Sequence, residues 1–138
     1  IIIGEVRGPE ALDMLQAMNT GHDGSLTTAH ANSSQDLMSR LETMVMMGSV
    51  DLPLGAIREQ IAAAIDIVVH QGRYRDGSRK ITEIAWIEGM KDDRVKLIPL
   101  FTFQQQGTTS AGKVKGEFIK VNDPRTLRNE LREKGVFD

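Results

Sequence analysis

The residues best suited to chemistry lie in the first thirty positions of this sequence. Ile1-Ile2-Ile3-Gly4-Glu5-Val6-Arg7-Gly8 is an apolar run that delivers a carboxylate at its end. β-Branched residues in such a run predict a strand from Ile1 to about Gly4, covered on both faces. Open α/β sheets bind ligands beyond the carboxyl ends of their strands, and an acid placed there can hold the metal shell of a bound nucleotide. Taken alone, the pattern also fits the many buried strands that end in an ordinary acidic residue.

A second segment, Thr20-Gly21-His22-Asp23-Gly24-Ser25-Leu26-Thr27-Thr28-Ala29-His30-Ala31-Asn32-Ser33, sets two histidines around a threonine-rich stretch. Its glycines let the backbone approach whatever lies beside it. An imidazole can donate to a phosphate oxygen, and so can hydroxyls at a strand end. The plainer alternative makes both histidines polar residues at strand ends. Zinc is disfavoured, because the chain has no cysteine and no third histidine near these two.

The elements around these residues must place them. Pro9 and Glu10 suit the first turn of a helix with Leu12, Leu15 and Met18 on one face, stopping at Asn19-Thr20-Gly21. A strand from Ser25 to His30 should follow. Ser33 with Asp36 resembles a capping box for a helix whose Leu37, Met38, Leu41, Met44 and Val45 share a face and which Gly48 ends. Asp51 and Pro53 open a third helix, with Leu54, Ile57, Ile61 and Ala64 inward, before the chain returns to strand at 65–70. This β-α-β-α-α-β order is part of an α/β sheet.

Beyond His70 the character changes. Asp76-Gly77 predicts a hairpin turn before a strand over 80–87, and Lys91-Asp92-Asp93 predicts another. Val95, Leu97, Phe101 and Phe103 alternate along the next strand, where Pro99 predicts an edge or a bulge. Gln104 to Lys115 reads as a polar loop. Asp123-Pro124 opens a last helix carrying Leu127 and Leu131, closed by Gly135. Met38, Met44, Met46 and Met47 read as core and interface packing. Arg73, Arg75, Arg79 and Lys80 surround the Asp76-Gly77 turn as a solvated cluster, or as a contact for a neighbouring subunit or acidic headgroups.

Bulk properties bound the rest. At 138 residues the chain can build one compact domain with a real core. A net charge of −2 argues against a dedicated nucleic-acid binder, although a local basic patch would survive the average. Without cysteine there are no disulfides and no thiolate chemistry, which leans toward a reducing compartment. No apolar run approaches the roughly 20 residues of a membrane span. A start inside a strand, with no lead-in, reads as an excised fragment whose open edge should favour association or strand exchange.

Taken together, Gly4-Glu5-Val6-Arg7, the helix after it, and Thr-Gly-His…Thr-Ala-His-Ala-Asn-Ser resemble the Walker B motif and histidine box of the type II/type IV secretion ATPase superfamily. Arg40 to Met44 and Leu52 to Ile61 look closest to its Tad/Flp pilus-assembly branch. The resemblance covers Ile1 to about Phe103 and is looser afterwards, down to the terminal Gly135-Val136-Phe137. Gly8 stands where many type II relatives carry Asp after the Arg.

The resemblance implies the C-terminal part of a RecA-like P-loop ATPase core over 1–70, followed by a small β-hairpin and helical portion over 71–138. It implies a hexameric ring at the cytoplasmic face of the inner membrane, coupling ATP hydrolysis to pilus assembly or protein secretion alongside platform proteins, with no specific nucleic acid. Carried over, Glu5 is the Walker B glutamate, acting on magnesium through water. His22 and His30 are the histidine-box pair, His30 the sensor of the γ-phosphate, and Arg7 is the basic residue of the motif, its role open. The family's P-loop and acidic box lie upstream of Walker B, so the chain by itself is expected to be inactive.

Gly107 to Val114 fits G-x-x-x-x-G-K, but Val114 stands where Ser or Thr should meet magnesium, and the residues after Lys113 favour strand or turn. Two rivals stay open: a non-catalytic assembly module, and an ATPase of the type II secretion or conjugation branch.

Overall fold

A computed structural model describes residues 1–48 and 51–136. Phe137, part of the terminal resemblance, lies outside the described residues. The elements run β1 (Ile2–Ile3), α1 (Ala11–Asn19), β2 (Leu26–Thr27), α2 (Ser34–Gly48), α3 (Leu54–Ala64), β3 (Ile67–Arg73), β4 (Arg79–Lys91), β5 (Arg94–Thr108), β6 (Val114–Lys120) and α4 (Arg125–Glu133). Two compact units result. The first joins Ile1–Ile67 with Ile87–Leu97, and the second joins Val68–Trp86 with Ile98–Asp138.

In the first unit β1 and β2 pair in parallel, Ile2 with Leu26 and Ile3 with Thr27, which requires the crossover that α1 supplies. The three helices pack on one another. Leu15, Leu41, Val45, Ile57 and Ile61 are fully buried. Helix α2 starts as its sequence indicates. The Ser33 hydroxyl accepts the Asp36 N–H at 2.9 Å, and Asp36 reaches back to the Asn32 N–H at 2.9 Å. Gly48 has no Cβ for a steric reason, since one built there would stand 2.9 Å from the Pro9 carbonyl oxygen.

Several expectations change. The opening strand is not covered on both faces: Ile2 is 81% and Leu26 65% exposed. Among the described residues β1 pairs with β2 alone, so the side chains turned from the helices meet solvent. The buried residues of α1 are Ala11, Met14 and Leu15; of the expected Leu12, Leu15 and Met18, Leu15 is buried and the other two are half-buried. Leu54 of α3 is also exposed. Strand β2 has two paired residues, not six, although Val6 N–H extends the ladder to the Thr28 carbonyl at 3.0 Å.

The four later strands form one sheet in the order β3-β4-β5-β6. Asp76-Gly77 makes its turn, with Tyr74 N–H donating to the Ser78 carbonyl at 2.9 Å and Gly77 at φ +83°. Asp92 and Asp93 both take left-handed φ, 51° and 62°, as a two-residue hairpin turn of the primed type demands. Pro99 does not break β5, which is continuous and internal, but the register with β6 begins only beyond it, at Phe101. A register shift falls instead between Gln105 and Gly107. The expected polar loop is mostly strand, because β5 continues to Thr108 and β6 starts at Val114. Helix α4 buries no residue fully; its Leu127 and Leu131 are half-buried.

The second unit packs aromatics. Tyr74 meets Phe103 edge-on at 5.4 Å, and Phe101 stacks on Phe118 at 5.5 Å. Gly116 leaves room for the Phe103 ring, since a Cβ there would lie 2.5 Å from it. Asp76 ties the two hairpins together. It accepts the Ser78 N–H at 2.8 Å and hydroxyl at 2.5 Å, and on its other oxygen the Val114 N–H at 2.7 Å.

These donors, the Ser78 hydroxyl foremost, hold the Asp76 carboxyl down to about 2. A folded value below the unfolded one gives stability that is complete above roughly pH 4 and lost as pH falls toward about 2. Amide exchange at Val114 should therefore accelerate across that window, and Asp76→Asn should flatten the dependence. An acid response identical in the variant would show that the tie contributes nothing.

Candidate functional site

The end of β1 is fixed from three sides. The Thr28 hydroxyl donates to the Gly4 carbonyl at 2.5 Å, and the Thr28 carbonyl accepts the Val6 N–H at 3.0 Å. Glu5 thus sits between two points held by one residue of the neighbouring segment. Past it, Glu10 Oε1 accepts the N–H groups of Arg7 at 2.9 Å and Gly8 at 3.3 Å. These donors, Arg7 first, lower the Glu10 carboxyl below its usual range. The chain then turns into α1 through Ala11 N–H to the Gly8 carbonyl.

The Glu5 carboxylate bridges two cationic-capable groups. Its Oε2 lies 2.6 Å from Arg7 Nη2, and its Oε1 lies 3.0 Å from His30 Nε2. The Glu5 side chain is 24% exposed, against 78% for Arg7 and 89% for His30. The Arg7 hydrogen bond is the largest cause of a lowered Glu5 pKa, and the charges of Arg7 and His30 add to it. Glu5 in turn raises Arg7. The result is an ionised carboxylate on a pinned strand end, with solvent-facing partners a ligand could displace.

His22 does not join this set. Its Nδ1 lies 2.9 Å from the Ala17 carbonyl in the last turn of α1, and its own carbonyl accepts the Ser25 hydroxyl at 2.6 Å. No group of three or more His, Cys, Asp or Glu suited to a metal occurs among the described residues. Thr28 and Glu10 were not singled out by sequence. A hydroxyl two residues before His30 and a carboxylate three after Arg7 are the signals that could have found them.

Gly107 to Val114 runs from the end of β5 through the turn at 109–113 into β6. Thr109 N–H donates to the Lys113 carbonyl at 2.7 Å, and Gly112 N–H to the Thr109 carbonyl at 2.9 Å. Val114 enters strand β6, so no helix opens after Lys113 to present amides to a phosphate.

Comparison with known proteins now bears on the whole segment. The family described as "Type II/IV secretion system protein" matches residues 1–117. A protein of Mycobacterium tuberculosis named for conjugal transfer is 42% identical over 85 residues, 62% of this chain and 24% of that protein. Conjugal transfer protein TrbB of Rhizobium radiobacter is 39% identical over 93 residues, 67% of this chain and 27% of that protein. The crystal structure of the VirB11 ATPase of the Brucella suis type IV secretion system, in complex with sulphate, aligns with a TM-score of 0.59 and 36% identity. It covers 62% of this chain and 27% of that one. The chain thus spans about a quarter of the length of the relatives it matches. With an α/β fold like that of the VirB11 ATPase, and a family match over most of its residues, this chain belongs to the type II/IV secretion system protein family.

Proposed function

We propose that this chain is the Walker B and histidine-box part of a motor ATPase that powers secretion or pilus assembly. The observation carrying the proposal is the Glu5 carboxylate, pinned at the end of a parallel strand and shared between Arg7 and His30. Magnesium keeps most of its water and takes one or two carboxylates besides the phosphates, so a lone ionised Glu5 fits a water-mediated role. In a protein of the relatives' full length, magnesium would neutralise phosphate charge during hydrolysis. His30, exposed beside Glu5, would contact the γ-phosphate. Arg7 serves as the counter-ion of Glu5 until nucleotide arrives. His22, bound to the end of α1, would act on the nucleotide only after leaving the Ala17 carbonyl.

Gly8 favours a Tad-like or type IV branch over type II, and the relatives' names, conjugal transfer and type IV secretion, favour the type IV branch and with it the conjugation alternative. We further propose a hexameric ring working with platform proteins at the cytoplasmic face of the inner membrane. No helix among the described residues is long and apolar enough to cross that membrane. A purely structural assembly role draws on one observation, the exposed Ile2 and Leu26 of the β1–β2 pair.

Titration calorimetry separates these readings. The 138-residue chain should give no saturable micromolar heat with magnesium and ATP, because among the described residues no glycine-rich loop opens a helix to cradle the phosphates. A full-length protein carrying this segment should bind and hydrolyse ATP. Failure of that longer protein to hydrolyse ATP would favour the assembly role. Tight binding by the short chain would overturn the assignment of phosphate contacts to residues outside it.

A further inference from the structure

The net charge of −2 conceals an excess of cations in the second unit, which carries eleven lysines and arginines against seven aspartates and glutamates. All six aromatic residues of the chain belong to that unit too, and the first has none. Four of them share one face of the sheet. Phe103 stands across from Phe118 in the register of β5 with β6, Phe101 stacks on Phe118, and Tyr74 meets Phe103 edge-on. Mutual packing accounts for the half-buried Phe101, Phe103 and Tyr74. It leaves Phe118 44% exposed, backed by Phe101 and open on its other side.

Cations lie among these rings. The Lys80 ammonium sits over Phe103, 5.6 Å from the ring centre. The Asp76–Val114 hydrogen bond holds the β3–β4 and β5–β6 turns together. A cleft of about 390 Å³ opens there, lined by Tyr74 and Arg75 from the first turn and by Gln105, Thr108 and Gly112 from the second. Asp76 also lines it, but both its oxygens are engaged by Ser78 and Val114. Gln105 pairs with Gly116 and lies two residues from Phe103, so the cleft and the rings occupy the same face.

A ligand for this face must carry flat rings and anions together. Unpaired bases stack on aromatic side chains presented by a four-stranded sheet, while cations follow the backbone between them. An acidic peptide would satisfy Arg75 and Lys80 but leave Phe118 open. An apolar peptide would cover Phe118 and leave the cations unmatched. A duplex hides the faces of its bases. Within the cleft, the Gln105 amide and the Thr108 hydroxyl add uncharged donors and acceptors, which a ribose 2′-hydroxyl can engage and a deoxyribose cannot.

We propose that the aromatic face of the second unit's sheet binds single-stranded RNA without sequence preference. Bases stack on Phe118 and Tyr74, Arg75 and Lys80 meet phosphates, and Gln105 with Thr108 meets ribose hydroxyls. Neither ATP nor any residue of the first unit takes part, so this binding stands or falls apart from the motor reading.

Fluorescence anisotropy of a labelled oligouridylate of about twelve nucleotides is the test, a length within the usual site sizes of such surfaces. With the 138-residue chain the signal should rise saturably at low salt and weaken as salt is added. Phe118→Leu keeps an apolar side chain against Phe101 but removes the stacking ring. It should bind about fivefold to a hundredfold more weakly. Arg75→Gln should weaken binding and flatten the slope of log affinity against log salt by about 0.7, for one phosphate released. Lys91→Gln with Arg94→Gln, at the hairpin turn of the first unit, should bind as wild type does. Oligodeoxyuridylate of the same length should bind about threefold to tenfold more weakly, having lost the 2′-hydroxyl.

If Phe118→Leu does not fold, as its Trp86 emission would report, competition replaces it. Inorganic polyphosphate carries the charge without the rings and should displace the RNA about tenfold less well, or worse. Displacement by polyphosphate as effective as by unlabelled RNA would overturn the proposal. So would unchanged binding by a folded Phe118→Leu, or an anisotropy that never rises with the wild-type chain. Equal affinity for the deoxy oligonucleotide would overturn the choice of RNA over DNA. Polyglutamate competing as well as RNA would assign the surface to an acidic protein instead. ATP hydrolysis by the longer protein with no RNA binding would sink this proposal while leaving the motor assignment intact.

Discussion

Glu5→Gln, made in a full-length protein that carries this segment, should lower ATP turnover by about a hundredfold to a thousandfold while ATP affinity changes little. Glutamine keeps the size of the side chain and one acceptor but removes the charge. The strand end should survive, because Thr28 holds Gly4 and Val6 through its own hydroxyl and carbonyl. The lost ion pairs to Arg7 and His30 are largely exposed and contribute little to folding. On the proposed Walker B reading, the lost charge is the one that would orient the metal shell as the transition state forms. His30→Ala should act differently, weakening the distinction between ATP and ADP states, since a contact made in one state only is what shifts an equilibrium. Parallel turnover and nucleotide-affinity measurements read both. Wild-type turnover in Glu5→Gln would reduce Glu5 to a structural carboxylate.

Leu41→Ala should destabilise the first unit by about 2–5 kcal/mol. Leu41 is 1% exposed at the middle of α2, on the face that also buries Met38, Met44 and Val45. Helix α2 packs on both α1 and α3, so the void would open among three helices that cannot all close on it. Leu41→Met conserves volume and should lose less than about 1.5 kcal/mol. Denaturant unfolding followed by helical circular dichroism separates the two variants. Equal, small losses would mean the three-helix core is loosely packed.

The helical parts were legible because burial there follows one period. Met38, Leu41, Met44 and Val45 recur at helical spacing behind a Ser33–Asp36 cap, and all four are buried. Where two rows compete, spacing does not choose. Leu12 and Met14 are both apolar and Leu15 belongs to either row, so only packing selects Met14. Turns set by backbone strain were also readable, since Gly77, Asp92 and Asp93 all take positive φ.

Strand extent was not readable. Ser25 to His30 has the composition of a strand, yet two residues pair, because strand length depends on a partner distant in sequence. Gln104 and Gln105 read as loop, yet pair with Glu117 and Gly116 across an exposed sheet. At the site, residue types named Glu5 and His30, and the parallel register of β1 with β2 explains their meeting. The hydroxyl of Thr28 and the carboxylate of Glu10 act on backbone groups, so only their spacing from His30 and Arg7, and not the type of their partners, marks them in the sequence.

The most direct test of the account asks whether bound nucleotide brings its metal to Glu5. Manganese can replace magnesium in a full-length protein carrying this segment, with histidine labelled for NMR. Manganese with ATP should broaden the His30 ring signal strongly. Manganese without nucleotide should not broaden it to that degree, since Glu5 is one carboxylate and not a metal cage. Broadening of His30 that depends on ATP is the predicted result. A His30 signal unchanged at saturating manganese and ATP, in a protein that hydrolyses ATP, would place the nucleotide elsewhere and contradict the account.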